Sequence, residues 1–233
     1  MAEELSATMR EYLAEIHRLA ERGPQLPGGY ISTSALADLL DVSAPAVNRM
    51  INRLKELGLL EHEPYQGIRL TPAGERAAQL ELRRHRIAEA FLVDVMGFGW
   101  HEIHDEAHRI GGALSDALVE RMAEMAGSPT HCPHGEPIPT ADGEVEEPDD
   151  LLLAEIEAEN TSLVITRVLT REPERLEYIA ALGLLPGTPL VMLHAAPFNG
   201  PMQLKVGAEY RIIGHNLAEL IRVQSVDQPL DAQ

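Results

Sequence analysis

The sequence of 233 residues contains a single cysteine, Cys132. It cannot close an internal disulfide, and it sits in a Pro/Gly-rich stretch without the second thiolate that a zinc knuckle needs, so it is assigned no role. No apolar run approaches the roughly 20 residues required to cross a bilayer, and the amino terminus lacks the basic-then-apolar order of a secretory signal. A soluble, cytoplasmic chain with no membrane partner is therefore expected. Hydrolytic and nucleotide-dependent signatures are also missing: there is no His-Glu-x-x-His helix, no Gly-x-Ser-x-Gly turn and no phosphate loop, which argues against an enzyme. Basic residues are few, 19 Lys and Arg against 37 Asp and Glu for a net charge of −18. That balance opposes nucleic-acid binding, which draws on cationic side chains to displace phosphate counterions.

The distribution of charge weakens this last exclusion. Residues 1–90 carry 11 Lys and Arg against 13 Asp and Glu, and residues 91–233 carry 8 against 24. The acidity thus lies mostly in the carboxy-terminal part, where it leaves carboxylates for metal ligation and a face that repels DNA. A hydrophobic content of 45% suffices for one large or two modest cores.

Apolar residues at Leu5, Tyr12, Leu13, Ile16 and Leu19 predict an amphipathic first helix over 5–22 that stops before Gly23-Pro24. A short helix follows, capped by Thr33 or Ser34, with Ala35, Leu36, Leu39 and Leu40 inward. After the turn Asp41-Val42-Ser43, the spacing of Val47, Met50, Ile51 and Leu54 predicts a second helix with one apolar stripe. Its other face carries Pro45, Asn48, Arg49 and Asn52. Two short strands around Pro64-Tyr65-Gln66-Gly67 predict a hairpin, and Thr71-Pro72 opens a long helix reaching about Met96. A further helix is expected from Trp100 to Ala126, with an apolar stripe suited to a dimer seam. Residues 127–150 hold five prolines and three glycines and read as an acidic linker. Beyond it, strands are expected at Ser162–Leu169, Pro189–His194 and Gln203–Val206, with helices at Glu172–Leu182 and Asn216–Ile221.

A helix, a three-residue turn and a second helix with an outward polar face is the layout that seats the second helix in a major groove, and the hairpin makes it a winged helix. Asn48 suits an adenine edge, and Arg49 a guanine or a phosphate. Ser43, Arg53, Tyr65, Gln66 and Arg69 are placed for the sugar-phosphate backbone, and Pro45 is a further candidate for DNA contact. The plain alternative is a helical hairpin with a solvated face.

His85 and Glu89 stand four residues apart on a helix and so share a face, as do His104 and His108. Taken singly, each histidine reads as a surface or core residue. As two facing pairs they offer imidazole and carboxylate to one or two divalent ions, a donor set suited to manganese, ferrous iron or zinc.

The winged helix, Arg84-His85-Arg86-Ile87-Ala88-Glu89, His104-Asp105-Glu106-Ala107-His108 and Cys132-Pro133-His134-Gly135-Glu136-Pro137-Ile138-Pro139 together resemble the diphtheria-toxin-repressor family of metal-dependent transcriptional regulators, over nearly the whole chain. The resemblance implies a mainly α protein with small β parts. It comprises a winged-helix DNA-binding domain (1–75), a helical metal-binding and dimerisation domain (76–126), the linker (127–150) and an SH3-like, FeoA-like β-barrel domain (151–233). It also implies an ancillary metal site formed by His85, Glu89 and His104 with Glu172 and Glu174. A primary site is implied at Glu11 and His108, but Gly111 and Gly112 stand where the family has Glu and His. Either Glu11 and His108 hold a second ion with water or Glu106, or regulation rests on the first site alone. Glu11 and His108 occupy the places where the iron-sensing branch has sulfur ligands, and harder oxygen ligation favours Mn(II) over Fe(II). Zn(II), Co(II) and Cd(II) are expected to substitute in vitro. The implied activity is a homodimeric repressor of metal-homeostasis genes that binds double-stranded operator DNA. The alternative is a metal-independent winged-helix regulator that senses a small ligand through its carboxy-terminal domain.

Overall fold

The computed structural model describes residues 5–22, 26–146 and 148–226. Two compact units result, one from Met1–His85, Ile110–Val119 and Pro139–Val145, the other from Arg86–Arg109, Glu120–Ile138 and Glu146–Gln233. The division falls within one continuous helix.

In the first unit, α1 (Ala7–Arg22) begins where Ser6 Oγ accepts the Met9 amide at 3.2 Å, which satisfies one of the first-turn N–H groups. Tyr12, Leu13 and Ile16 turn inward. The Gly23-Pro24 stop expected after it lies outside the described residues. α2 (Thr33–Leu40) is capped by Ser32 Oγ, ahead of both expected caps, and Asp41 ends it in the left-handed conformation at φ 50°. α3 (Ala44–Glu56) starts with Pro45 in its first turn, where a missing amide hydrogen costs no intrahelical bond. Val47, Ile51 and Leu54 of α3 join Leu13, Ile16, Leu36 and Ile68 in one core. Each such burial contributes about 1.5–3 kcal/mol. β1 (Leu60–Glu63) and β2 (Gly67–Leu70) form the wing, and Ile31 bridges Ile68 as a short third rung. α4 (Pro72–Asp94) then runs unbroken for 23 residues.

The single helix expected from Trp100 to Ala126 is two: α5 (Ile103–Gly111) and α6 (Asp116–Met125). Consecutive glycines at 111 and 112 each disfavour helix by about 1 kcal/mol relative to alanine. Ser115 Oγ then accepts the Leu118 amide at 3.3 Å and starts α6 afresh.

The second unit holds a six-stranded antiparallel sheet of β3 (Leu151–Leu152), β4 (Thr161–Val168), β5 (Pro189–Ala195), β6 (Met202–Val206), β7 (Glu209–Ile213) and β8 (Ile221–Ser225). Strand order is β3-β8-β4-β5-β6-β7, so β3 and β7 are its two edges. The expected barrel is therefore not closed among the described residues. Closure needs a ladder between first and last strands, and β3 offers two residues for one. α7 (Pro173–Ala181) covers one face with Leu176 and Ile179, against Leu163, Ile165, Leu190, Met192, Leu204 and Val223. The helix expected over Asn216–Ile221 is the single turn α8 (His215–Ala218). Ile221 and Val223 are instead alternate inward positions of β8, an arrangement that β-branched side chains favour. Strands β3, β7 and β8 lay outside the sequence expectation.

Candidate functional site

α4 places His85 and Glu89 one turn apart, and His85, the last residue of the first unit, keeps its place beside Glu89 through the helix itself. Across from Glu89, α5 brings His104 Nδ1 to 3.2 Å from Glu89 Oε1. One ligand atom from each of His85, Glu89 and His104 lies within 4.8 Å of the others. These are three of the five residues that the resemblance implied for the ancillary site.

A second trio shares Glu89 and was not predicted: Glu89, Cys132 and His134, all buried, with ligand atoms again within 4.8 Å of one another. It is built by the turn that follows α6. The Gly135 amide donates to Cys132 O at 2.8 Å, the Cys132 amide donates to Glu136 O at 2.9 Å, and the Val168 amide of β4 donates to His134 O at 2.9 Å. Gly135 sits at φ +85°, and a Cβ there would fall 1.9 Å from Thr166 O, so only glycine allows the turn to lie this close to β4. Glu136 pairs with Arg86 at 3.0 Å and Arg167 at 3.7 Å, and Arg86 also donates to Pro137 O at 2.6 Å. These bonds hold the turn against α4. The stretch read as a linker thus carries two ligand-type side chains and the charges that position them.

His134 Nε2 lies 2.9 Å from Trp100 O. A carbonyl only accepts, so Nε2 carries hydrogen and Nδ1 is left facing Glu89 Oε1 at 3.7 Å. That separation is long for a hydrogen bond, yet close to the edge of a coordination tetrahedron, about 3.5 Å for ligands 2.0–2.3 Å from an ion. An imidazole oriented by a carbonyl on its other nitrogen is the usual arrangement of a metal-binding histidine. Burial alone would lower the His134 pKa, but the adjacent Glu89 carboxylate outweighs this and raises it. Burial, then the charge of Glu89, pushes the Cys132 thiol well up. Without a cation the thiol stays protonated, and a bound cation is what makes it a thiolate ligand. The donor chemistry of both trios fits divalent ions: nitrogen and oxygen in one, with sulfur added in the other.

The other expected ligands are not brought into these groups. Glu172 precedes α7 and pairs with Arg175 at 2.8 Å, with both side chains more than half exposed, and Glu174 lies exposed in the first turn of α7. Glu11 is on α1, His108 is exposed on α5, and Glu106 pairs with Arg109. None of these five belongs to a ligand trio among the described residues.

On the reading face, Ser43, Pro45, Asn48 and Arg49 are exposed at the start of α3, and Arg53 is half-buried and paired with Glu56. Tyr65 and Gln66 stand fully out at the wing tip, Tyr65 at φ 66°. Arg69 differs from the rest: its guanidinium pairs with Glu61 at 2.7 Å, donates to Gly28 O at 3.2 Å and lies 4.9 Å from the Tyr30 ring centroid. It fastens the wing as well as facing solvent.

Sequence reasoning missed Cys132 and His134 as candidate ligands. A thiol and an imidazole two residues apart in a Pro/Gly turn is a ligand-type signal, but the third member lies over forty residues earlier on α4. Only the fold brings it near.

Three family models match the chain: "Iron dependent repressor, N-terminal DNA binding domain" over residues 4–68, "Iron dependent repressor, metal binding and dimerisation domain" over 71–140, and "FeoA domain" over 152–225. The iron-dependent repressor IdeR of Mycobacterium tuberculosis (strain ATCC 25618 / H37Rv) is 32% identical over 237 aligned positions, covering 96% of this chain and 99% of that protein. The diphtheria toxin repressor of Corynebacterium efficiens is 28% identical, covering 96% and 98%. Among solved structures, a manganese-dependent transcriptional repressor in complex with manganese superposes with a TM-score of 0.85 at 32% identity, covering 94% of this chain and all of the other. The apo form of the manganese-activated repressor ScaR gives 0.78 at 30% identity, covering 93% and 100%.

Proposed function

Since the chain belongs to the diphtheria-toxin-repressor family of metal-dependent transcriptional regulators, we propose that it is a homodimeric repressor that binds operator DNA when divalent cations occupy the centre around Glu89. The observation that carries this reading is the convergence of two ligand trios on one buried carboxylate, on a helix that begins at the base of the wing. His85 and His104 would hold one ion with Glu89, and Cys132 and His134 a second, with Glu89 between them. The ions would supply the positive charge that lets α4, α5 and the Cys132–Glu136 turn close on a shared carboxylate. Glu172 and Glu174 are proposed as further oxygen ligands of the His85 ion, reached once Glu172 leaves Arg175. Mn(II) is the proposed effector, with Fe(II) next. The neighbours named as manganese-dependent, and ScaR with bound Zn(II) and Cd(II), support a site open to several divalent ions.

Two α3 helices of a dimer must meet successive major grooves about 34 Å apart, so a loosely held pair is spread over many arrangements that cannot bind. A near-complete switch needs about 5.5 kcal/mol of preference of the ions for the competent arrangement. By linkage, operator DNA tightens metal binding to the same degree. Asn48 and Arg49 would read base edges, with Ser43, Pro45, Arg53, Tyr65, Gln66 and Arg69 on the backbone. The test is metal analysis of protein purified without chelator, followed by a DNA-shift assay with chelator and with added Mn(II) or Fe(II). Unchanged operator affinity across those conditions would refute the reading. It would favour instead a regulator that takes a small ligand in the cavity of about 380 Å³ lined by Asp150, Thr166, Arg167 and Gln224.

A further inference from the structure

Arg10 lies on α1 with its side chain mostly covered, and its guanidinium spends its donors on three different segments of the first unit. Nε donates to Glu81 Oε2 of α4 at 2.9 Å, Nη1 to Leu5 O ahead of α1 at 2.7 Å, and Nη2 to Gly112 O beyond α5 at 3.3 Å. Glu81 is in turn held by Arg84 at 3.2 Å, and Arg84 by Asp116 at the start of α6 at 2.6 Å. Gly112 is pressed against α1: a Cβ there would lie 3.2 Å from the Ala7 Cβ. A side chain at 112 would need Ala7 to give by a few tenths of an ångström. Glycine carries no side-chain ligand atom, so the residues at 111 and 112 do not fit a metal site that draws on the side chains of both.

We propose that Arg10 is a positioning residue whose guanidinium acts as a resident cation, locking α1 onto α4 and the Gly112 carbonyl without a metal. A guanidinium keeps its charge at every physiological pH and presents a rigid fork of donors, so this lock is closed at any metal concentration. Its charge-assisted bonds are partly shielded from solvent and so are screened less than exposed pairs. Regulation by ions then passes through the Glu89 centre alone. That last consequence rests on the function proposed above; the lock itself does not.

Hydrogen–deuterium exchange of the full-length protein, with chelator and with Mn(II), tests the lock without DNA. In the wild type, the α1 amides that exchange by local opening rather than by global unfolding, which are the ones compared, are expected to exchange at the same rate in both conditions. Arg10→Met, which keeps the apolar stem, is expected to speed α1 exchange about tenfold in both conditions. Amides of α3 and the number of ions bound per subunit should stay as in the wild type. Arg10→Lys should fall between the two. Added Mn(II) slowing wild-type α1 exchange tenfold would overturn the proposal, and so would an Arg10→Met protein with wild-type α1 protection. If the lock behaves as described while operator affinity ignores metal, the proposed function fails and the lock stands.

Discussion

Replacing Glu89 by glutamine removes one negative charge and almost no volume from a side chain that is 3% exposed and common to both ligand trios. With free ion at 100 times its Kd, a single bound ion stabilises the native state by about 2.7 kcal/mol. For a chain of this size about 1 kcal/mol raises Tm by roughly 2–4 °C, so each ion should add about 5–10 °C. Thermal melts with chelator and with saturating Mn(II) or Zn(II) read this directly. Glu89→Gln is expected to gain less than about 2 °C from either ion, because both trios lose the carboxylate that they share. Its metal-free Tm should fall below the wild type, since the amide takes away the buried carboxylate that His104 and His134 face. His85→Ala and Cys132→Ser should each keep the gain of the other trio. A Glu89→Gln protein that still gains about 5 °C or more would refute the shared-carboxylate centre.

Asn48→Ala and Arg49→Ala should each weaken binding to the cognate operator by about 1–3 kcal/mol while leaving affinity for unrelated DNA nearly unchanged for Asn48, which carries no charge; equal losses on both DNAs in a shift assay would deny Asn48 a base-reading role. His17 on α1 lies 2.7 Å from Glu75 and 3.3 Å from Glu21, and although burial works against it, these carboxylates raise its pKa to about 9. Because the folded-state value lies above the ordinary 6.5, the stabilisation is fully present below about pH 6.5 and is lost as pH rises through about 9. The carboxylates are about two-fifths exposed, which limits the contribution to about 1–3 kcal/mol. Urea unfolding of wild type and His17→Gln should differ by that amount near about pH 6 and converge by about pH 10; a gap independent of pH would show that His17 acts by packing alone.

The helices and the wing were legible because their signals lie within a few residues of one another. The stripe Val47-Ile51-Leu54, the proline at the start of α3 and the turn at Pro64–Gln66 each describe a local conformation that the core then accepts. The division of α5 from α6 was also written locally, in Gly111-Gly112, but a long apolar stripe across both concealed it. That the sheet stays open among the described residues was not legible, because closure depends on whether β3 and β7 meet, and neither strand was read from its own residues.

At the metal centre the same line separates what was visible from what was not. A helical repeat puts His85 beside Glu89 whatever the rest of the chain does, so that pair was available from spacing. Cys132 and His134 became partners of Glu89 only because a glycine with no side chain let their turn lie against β4, while Arg86 and Arg167 held Glu136 in place. Arg10 and Gly112 are a hundred residues apart and meet by packing alone. The sequence by itself determined the wing, the local helices and one half of the candidate ligand set, since periodicity, caps and turns act over a few residues. The tertiary structure decided that Glu89 serves two trios and that α1 is fastened by a guanidinium, because such encounters depend on which distant surfaces exclude water together.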